Sequence, residues 1–258
     1  MRCRPGVVYR EVPGFRPLEL DLTEPEHAVA TVLYLHGGGW RRGSRRTPLP
    51  GFEHLADELA AQGFRVATAD YRLSGEATFP APLEDVRAAL EFVRDDRPLL
   101  VWGESAGAHL GLLAALTGEP ESATVDTVDG VVAWFPPTDL LGLPADRHAL
   151  GAPPEEFSRE ALLLGAAPEA VPELARAASP LTFAHAGAPP VLLMHGEDDD
   201  LVPAAQSVRL ADALRAAGAP VETLWVPGAR HRWAGADPAS VIAPSIRFAH
   251  AVAARSRR

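Results

Sequence analysis

Residues 101–107 read Val101-Trp102-Gly103-Glu104-Ser105-Ala106-Gly107, and the fold is decided there. The apolar run Leu99-Leu100-Val101-Trp102 before it has the composition of a buried strand, and Ala106 to Leu116 after it has that of a small-residue helix. A G-x-S-x-G pentapeptide at a strand-to-helix junction forces a sharp turn, with the serine at its strained corner. Only small residues fit two positions to either side, and Gly103 and Gly107 supply them. The turn sets the Ser105 hydroxyl and the Ala106 amide at a helix N-terminus, where the backbone field favours developing negative charge. A Gly-rich junction can also be purely structural, so the reading needs further motifs.

Three more arrive in chain order. His36-Gly37-Gly38-Gly39-Trp40 follows the apolar strand Ala30 to Leu35. Three consecutive glycines let backbone amides turn inward, and those of Gly38 and Gly39 with that of Ala106 would form an oxyanion hole. Trp40 flanks that loop as a candidate substrate-binding residue, and His36 reads as a hydrogen-bonder that orders it. His195-Gly196-Glu197-Asp198-Asp199-Asp200-Leu201-Val202-Pro203 follows the strand Pro190 to Met194, which sets carboxylates at a strand's C-terminal end. Charge alone does not choose among the three aspartates. His231 lies just past the strand Val221 to Val226, within reach of Ser105 as a general base. With His231 as the third motif, the chain order is serine, aspartate, histidine, an order that accompanies a nucleophile elbow.

Together these stretches resemble the α/β-hydrolase superfamily, in its esterase branch of hormone-sensitive-lipase-like enzymes and bacterial feruloyl-esterase-like (BD-FAE) domains. Asp70-Tyr71-Arg72-Leu73, Phe79-Pro80 with Leu83-Glu84-Asp85, Pro137-Thr138-Asp139-Leu140 and Ser179-Pro180-Leu181 add to the resemblance, which runs from about residue 18 to 250. The resemblance places the acid of the triad four residues after the histidine of His195-Gly196, at Asp199, with Val202-Pro203 behind it. It implies a catalytic triad of Ser105, Asp199 and His231. Glu104, where the lipase-like branch has Asp, and Ser74-Gly75-Glu76 after Tyr71-Arg72-Leu73 lean toward the feruloyl-esterase-like branch.

The rest of the chain fits an α/β fold with a mostly parallel central sheet flanked by helices. Strands are expected near 7–12, 18–22, 30–35, 64–69, 98–102, 129–135, 190–194 and 221–226, the first two antiparallel at one edge. Helices are expected near 52–61, 81–94, 106–116, 204–217 and 239–255, so each parallel crossover has room for one. Nothing divides the chain, and residues 1–258 read as a single α/β-hydrolase domain. The segment 139–179, rich in Pro, Ala and Glu with helical patches at 157–164 and 171–178, breaks the rhythm. In relatives this insertion forms a cap; here it is short, which points to an accessible site for small to medium esters.

At 258 residues and 47% hydrophobic content the chain can bury one full core. Its net charge of −10 disfavours nucleic acid or an anionic membrane as a partner. Its single cysteine, Cys3, permits no internal disulfide. No apolar leader and no run long enough to span a bilayer is present, which makes the cytoplasm the default compartment. All 24 basic residues are arginine. Arg41, Arg42, Arg45 and Arg46 directly follow the glycine loop. They read either as a solvated turn or, for some of them, as a cationic site mouth for a carboxylate, a phosphate or an acidic carrier protein. Arg72 and Asp85 read as a structural pair, His109 as a packed hydrogen-bonder, and Trp233 as a second aromatic flanking the site.

The expected activity is hydrolysis of a small-molecule carboxylic ester through an acyl-enzyme, with no metal or organic cofactor. The same motifs are compatible with an aryl-formamidase-like amide hydrolase, or with a specialised thioesterase or lactonase. A non-catalytic receptor fits less well, because every triad residue type is present. Substrate and oligomeric state are not written in these motifs.

Overall fold

The computed structural model describes residues 1–117, 128–151 and 158–256. Its strands are β1 (Arg2–Arg10), β2 (Leu18–Glu24), β3 (Ala30–Leu35), β4 (Phe64–Ala69), β5 (Leu99–Glu104), β6 (Gly130–Trp134), β7 (Val191–Gly196) and β8 (Val221–Val226). β3, β5, β6 and β7 are apolar along nearly their whole length and buried at every residue, as strands covered on both faces must be. The eight form one sheet in the order β1-β2-β4-β3-β5-β6-β7-β8. β1 pairs antiparallel with β2 and β2 antiparallel with β4; all other neighbours are parallel.

The helices are α1 (Leu55–Ala61), α2 (Ala81–Val93), α3 (Ala106–Leu116), α4 (Leu143–Ala149), α5 (Arg159–Leu164), α6 (Pro172–Ala177), α7 (Ala205–Ala217) and α8 (Pro238–Arg255). Two buried clusters fill the two sides of the sheet. One takes its apolar residues from α2, α3 and α7, the other from α1 and α8. α3 is apolar all round and buried at every residue, which fits its seat between the sheet and the segment that precedes β7. α8 starts where Asp237 accepts a hydrogen bond from the Ala239 amide at 3.1 Å, with Pro238 in the first turn.

The structure departs from the sequence reading in three places. β1 begins at Arg2 rather than near Val7, because a register shift between Arg4 and Val7 absorbs Pro5-Gly6 at an edge of the sheet. Helix α4 went unread in the Pro-rich segment after β6. The helical patch expected from Phe157 begins at Arg159; Phe157 lies outside the described residues, and Ser158 caps α5 by accepting from the Ala161 amide at 3.2 Å. No helix of the described residues is long and apolar enough to cross a membrane.

Candidate active site

Parallel pairing of β3, β5, β7 and β8 sends the loops after these strands to one end of the sheet, where open α/β folds present their sites. His36–Trp40 follows β3, Ser105 follows β5, Asp199 follows β7 and His231 follows β8.

Ser105 sits at φ 49°, ψ −115°, a strained position for any residue with a side chain. Its amide donates to the Trp134 carbonyl at 2.9 Å, and its carbonyl accepts from the His109 amide at 2.9 Å, so the corner is pinned from both sides. A Cβ on Gly107 would overlap the carbonyl oxygens of Leu35 and His36, which is why this side of the corner takes no larger residue. Ser105 Oγ lies 3.2 Å from His231 Nε2, and His231 Nδ1 lies 2.7 Å from Asp199 Oδ2. The Phe135 ring packs against the imidazole with centroids 4.7 Å apart.

Of the three aspartates, only Asp199 is buried and only Asp199 reaches His231. Its second oxygen, Oδ1, accepts from the Leu201 and Val202 amides at 3.0 and 2.9 Å. Asp198 is exposed, and Asp200 pairs with Arg230 at the surface. Burial on its own would raise the Asp199 carboxyl, but its bonds to His195 and His231 prevail and hold it well below the ordinary carboxylate range. His195 is a site neighbour that sequence reasoning missed. Its Nε2 lies 2.8 Å from the Val202 carbonyl and 3.4 Å from Asp199 Oδ2, while Nδ1 meets Ser207 Oγ at 2.7 Å. Two acceptors beside Nε2 put a ring proton there, so His195 braces the carboxylate from behind. The signal was present, because this is the histidine from which the acid is counted.

The glycine loop stands beside the serine. Gly38 has φ 120° and Gly39 φ 62°, values open to glycine and costly elsewhere. A Cβ on Gly38 would strike the Arg42 carbonyl. His36 stacks on Tyr71 at 4.4 Å, its Nδ1 donates to the Gly37 carbonyl at 2.7 Å, and the Tyr71 hydroxyl donates to the His36 carbonyl at 2.8 Å. Trp40 donates its indole N–H to His109 Nδ1 at 3.1 Å, and His109 Nε2 donates to the Ala178 carbonyl at 2.7 Å. Ala106, the first residue of α3, holds one of the amides that a helix leaves without an internal acceptor.

A cavity of about 340 Å³ opens onto Ser105 and His231, walled by Gly37, Gly38, Gly39 and Trp40. Glu104, Arg147, Arg159 and Arg232 also line it and were not foreseen as site residues. Burial pushes the Glu104 carboxyl up, opposed by the Gly37 amide, the nearby Arg232 charge and the Tyr34 hydroxyl. Arg147 and Arg159 come from α4 and α5, so the segment between β6 and β7 folds back over the site. Trp233 lies outside the cavity wall and packs edge-on against Trp134 and Phe135.

The arginine run after Trp40 divides. Neither Arg45 nor Arg46 belongs to a cationic mouth, which corrects that reading for these two. Arg45 reaches Glu19 at 2.5 Å, Asp21 at 2.9 Å and Asp70 at 2.5 Å, and Arg46 reaches Asp21 at 2.7 Å. Nor is Arg45 a solvated turn residue, since its side chain is only 10% exposed. Burial would raise the Asp21 carboxyl, but hydrogen bonds from Arg46 and Arg45 bring it down to about 2. The cluster ties the loop to β2. Arg42 alone of the four lines the cavity. Arg72 and Asp85 pair as expected, at 2.8 Å.

Residues 20–214 match the profile of the family described as BD-FAE, a span that holds Ser105 and Asp199 and stops short of His231. The chain belongs to the BD-FAE family. Two curated relatives of this BD-FAE chain come from Mycobacterium tuberculosis, the esterases LipQ and LipC. Each is 30% identical, over 85% and 80% of this chain and 55% and 54% of their own lengths. The chain therefore spans about half the length of these curated relatives. Among solved structures, a truncated carbohydrate esterase from gut microbiota superposes with a TM-score of 0.83 at 25% identity, over 98% of this chain and 97% of that one. A butyrate-bound esterase of Thermogutta terrifontis shares the fold, with a TM-score of 0.72 at 23% identity over 94% and 90% of the two chains.

Proposed function

We propose that this BD-FAE chain is a serine carboxylesterase acting on small to medium carboxylic esters, with Ser105, His231 and Asp199 as its catalytic residues. The observation that carries the reading is the unbroken hydrogen-bond chain from Ser105 Oγ through His231 to Asp199, opening into the cavity. Kinship with esterases supports the reaction class.

In the first step His231 Nε2 takes the Ser105 proton as Oγ attacks the ester carbonyl. Asp199, bonded to Nδ1, fixes the tautomer that leaves Nε2 free to accept, and stabilises the imidazolium that forms. The amides of Gly38, Gly39 and Ala106 receive the negative charge on the carbonyl oxygen, each donor lowering the barrier by about 2.7–4 kcal/mol. His231 then passes the proton to the departing alkoxide, leaving an acyl-Ser105. Water attacks that acyl group with His231 again as base, releasing the acid and restoring the serine. Trp40 contributes wall to the substrate cavity and, through His109, fixes the loop that presents the oxyanion donors. The segment 139–179 serves as a modest cap, and a cavity of about 340 Å³ suits short acyl groups better than long ones.

The test is hydrolysis of p-nitrophenyl esters from acetate to decanoate by wild type and Ser105→Ala. Turnover that peaks at short chains and falls by about 10⁴-fold or more in the variant is expected. A variant that retains activity removes Ser105 from the mechanism, and a wild type inert on every ester but active on an aryl formamide moves the chain to amide chemistry.

A further inference from the structure

The cavity wall runs against the charge of the molecule. The chain carries a net charge of −10, yet four arginines line the cavity and Glu104 is the one acidic residue among its described lining residues. Their surroundings separate these arginines. Arg147 is committed internally, with Nη1 on Glu160 at 2.8 and 3.1 Å and Nε on the Leu201 carbonyl at 2.9 Å. Arg159 lays its aliphatic stem against Gly39, where a Cβ would meet its Cδ at 2.6 Å. Arg42 and Arg232 are different. Both are exposed, both line the cavity, and among the described residues neither makes a hydrogen bond or an ion pair with a carboxylate.

These two come from separate loops that share the reacting centre. Arg42 follows the glycine loop, and its carbonyl lies where a Cβ on Gly38 would be. Arg232 follows His231 directly and holds φ 61°, a left-handed conformation that an arginine adopts at a cost of about 1 kcal/mol or more. Both residues line the cavity that holds Ser105, and among the described residues neither guanidinium is hydrogen-bonded or ion-paired to a carboxylate. Of the carboxylates around the cavity, Glu104 is pushed up by burial and opposed by the Arg232 charge without bonding to it, Glu160 is taken by Arg147, and Asp199 sits behind His231 bonded to two imidazoles.

We infer that the ester cleaved here carries a carboxylate, which Arg42 and Arg232 bind while Ser105 attacks the ester carbonyl. Guanidinium forks suit a carboxylate, and the surrounding negative charge of the protein makes a local pair of arginines necessary to hold an anion at all. The inference rests on the esterase reading and adds the substrate's chemical class to it.

The experiment compares matched esters with and without a carboxylate. Monoethyl glutarate against ethyl hexanoate sets the anion on the acyl side, and 4-acetoxybenzoate against 4-acetoxytoluene sets it on the alcohol side. The quantity read is the ratio of kcat/KM for the anionic over the neutral ester. In one of the two arms that ratio falls about five- to tenfold in Arg42→Gln and again in Arg232→Gln, the size of a partly screened charge pair, and further in Arg42→Glu. In the wild type it also falls several-fold as salt is raised to about 0.5 M, because exposed pairs are screened. A loss of folded enzyme lowers both esters alike and leaves the ratio untouched, and the salt series needs no variant. Neutral esters turned over with a ratio that ignores both arginines and salt would overturn this inference and leave the esterase reading standing. Inertness toward all four esters would bring down both.

Discussion

One separable part of the loosening that acid should bring to this protein runs through a buried histidine. His109, one helical turn beyond Ser105, accepts from Trp40 at Nδ1 and donates to the Ala178 carbonyl from Nε2, so it links the glycine loop, α3 and the residue that follows α6. Only the neutral ring with its proton on Nε2 can do both. A second proton on Nδ1 would face the indole N–H, donor against donor. Burial pushes His109 down to about 4, with the bond to Ala178 pulling the other way. The unfolded chain binds that proton at about 6.5 and the folded chain not until about 4. Between these values the unfolded state holds more protons, so stability falls as pH falls through the window and none of this contribution is lost above it. Going from pH 7 to 4.5, this one group removes about 2 kcal/mol. Urea unfolding at both pH values, run on wild type and His109→Gln, isolates the effect, because the other groups titrate in both proteins and cancel. The wild type should lose about 2 kcal/mol more than the variant over this range, whatever the variant's stability at pH 7. Parallel pH dependences would refute the argument and show that His109 titrates as freely folded as unfolded.

Three further outcomes follow from the site and its supports. Asp199→Asn should keep the fold and lower kcat by about 10⁴-fold with little change in KM, because the amide no longer fixes the His231 tautomer; steady-state kinetics reads this directly. Arg45→Met should cost about 2 kcal/mol in chemical denaturation, since it takes from the buried Asp70 its nearer cation, leaving Arg16 at 3.6 Å, and from Asp21 one of its two arginines. Gly107→Ala forces a Cβ onto the Leu35 and His36 carbonyls, and should lower stability by about 3 kcal/mol or more while abolishing turnover; a variant that melts with the wild type would show that the corner has slack.

How much of this was legible in the sequence depends on whether a feature is set locally or by a distant partner. The elbow at 103–107 was legible, because a sharp strand-to-helix turn has almost one solution in residue types. The parallel strands were legible too, since burial on both faces leaves a continuous apolar run such as Ala30–Leu35. The start of β1 was not: Pro5-Gly6 reads as a break, and only pairing with β2 shows that an edge absorbs it. Helix α4 was hidden by Pro144 near its start, a residue that reads as a breaker but is tolerated in a first turn. The sharpest limit lies in the repeated residues. Asp198, Asp199 and Asp200 are chemically identical, as are Arg42, Arg45 and Arg46, and no local property orders them. What separates Arg45 from Arg42 is the placement of Glu19, Asp21 and Asp70 on and beside β2, which neutralise one and leave the other at the cavity. What separates Asp199 from its neighbours is the turn that buries it against His195 and His231 while Asp200 meets Arg230 at the surface. In both runs the residue type sets the chemistry available, and partners 4 to 32 positions away along the chain decide which copy exerts it.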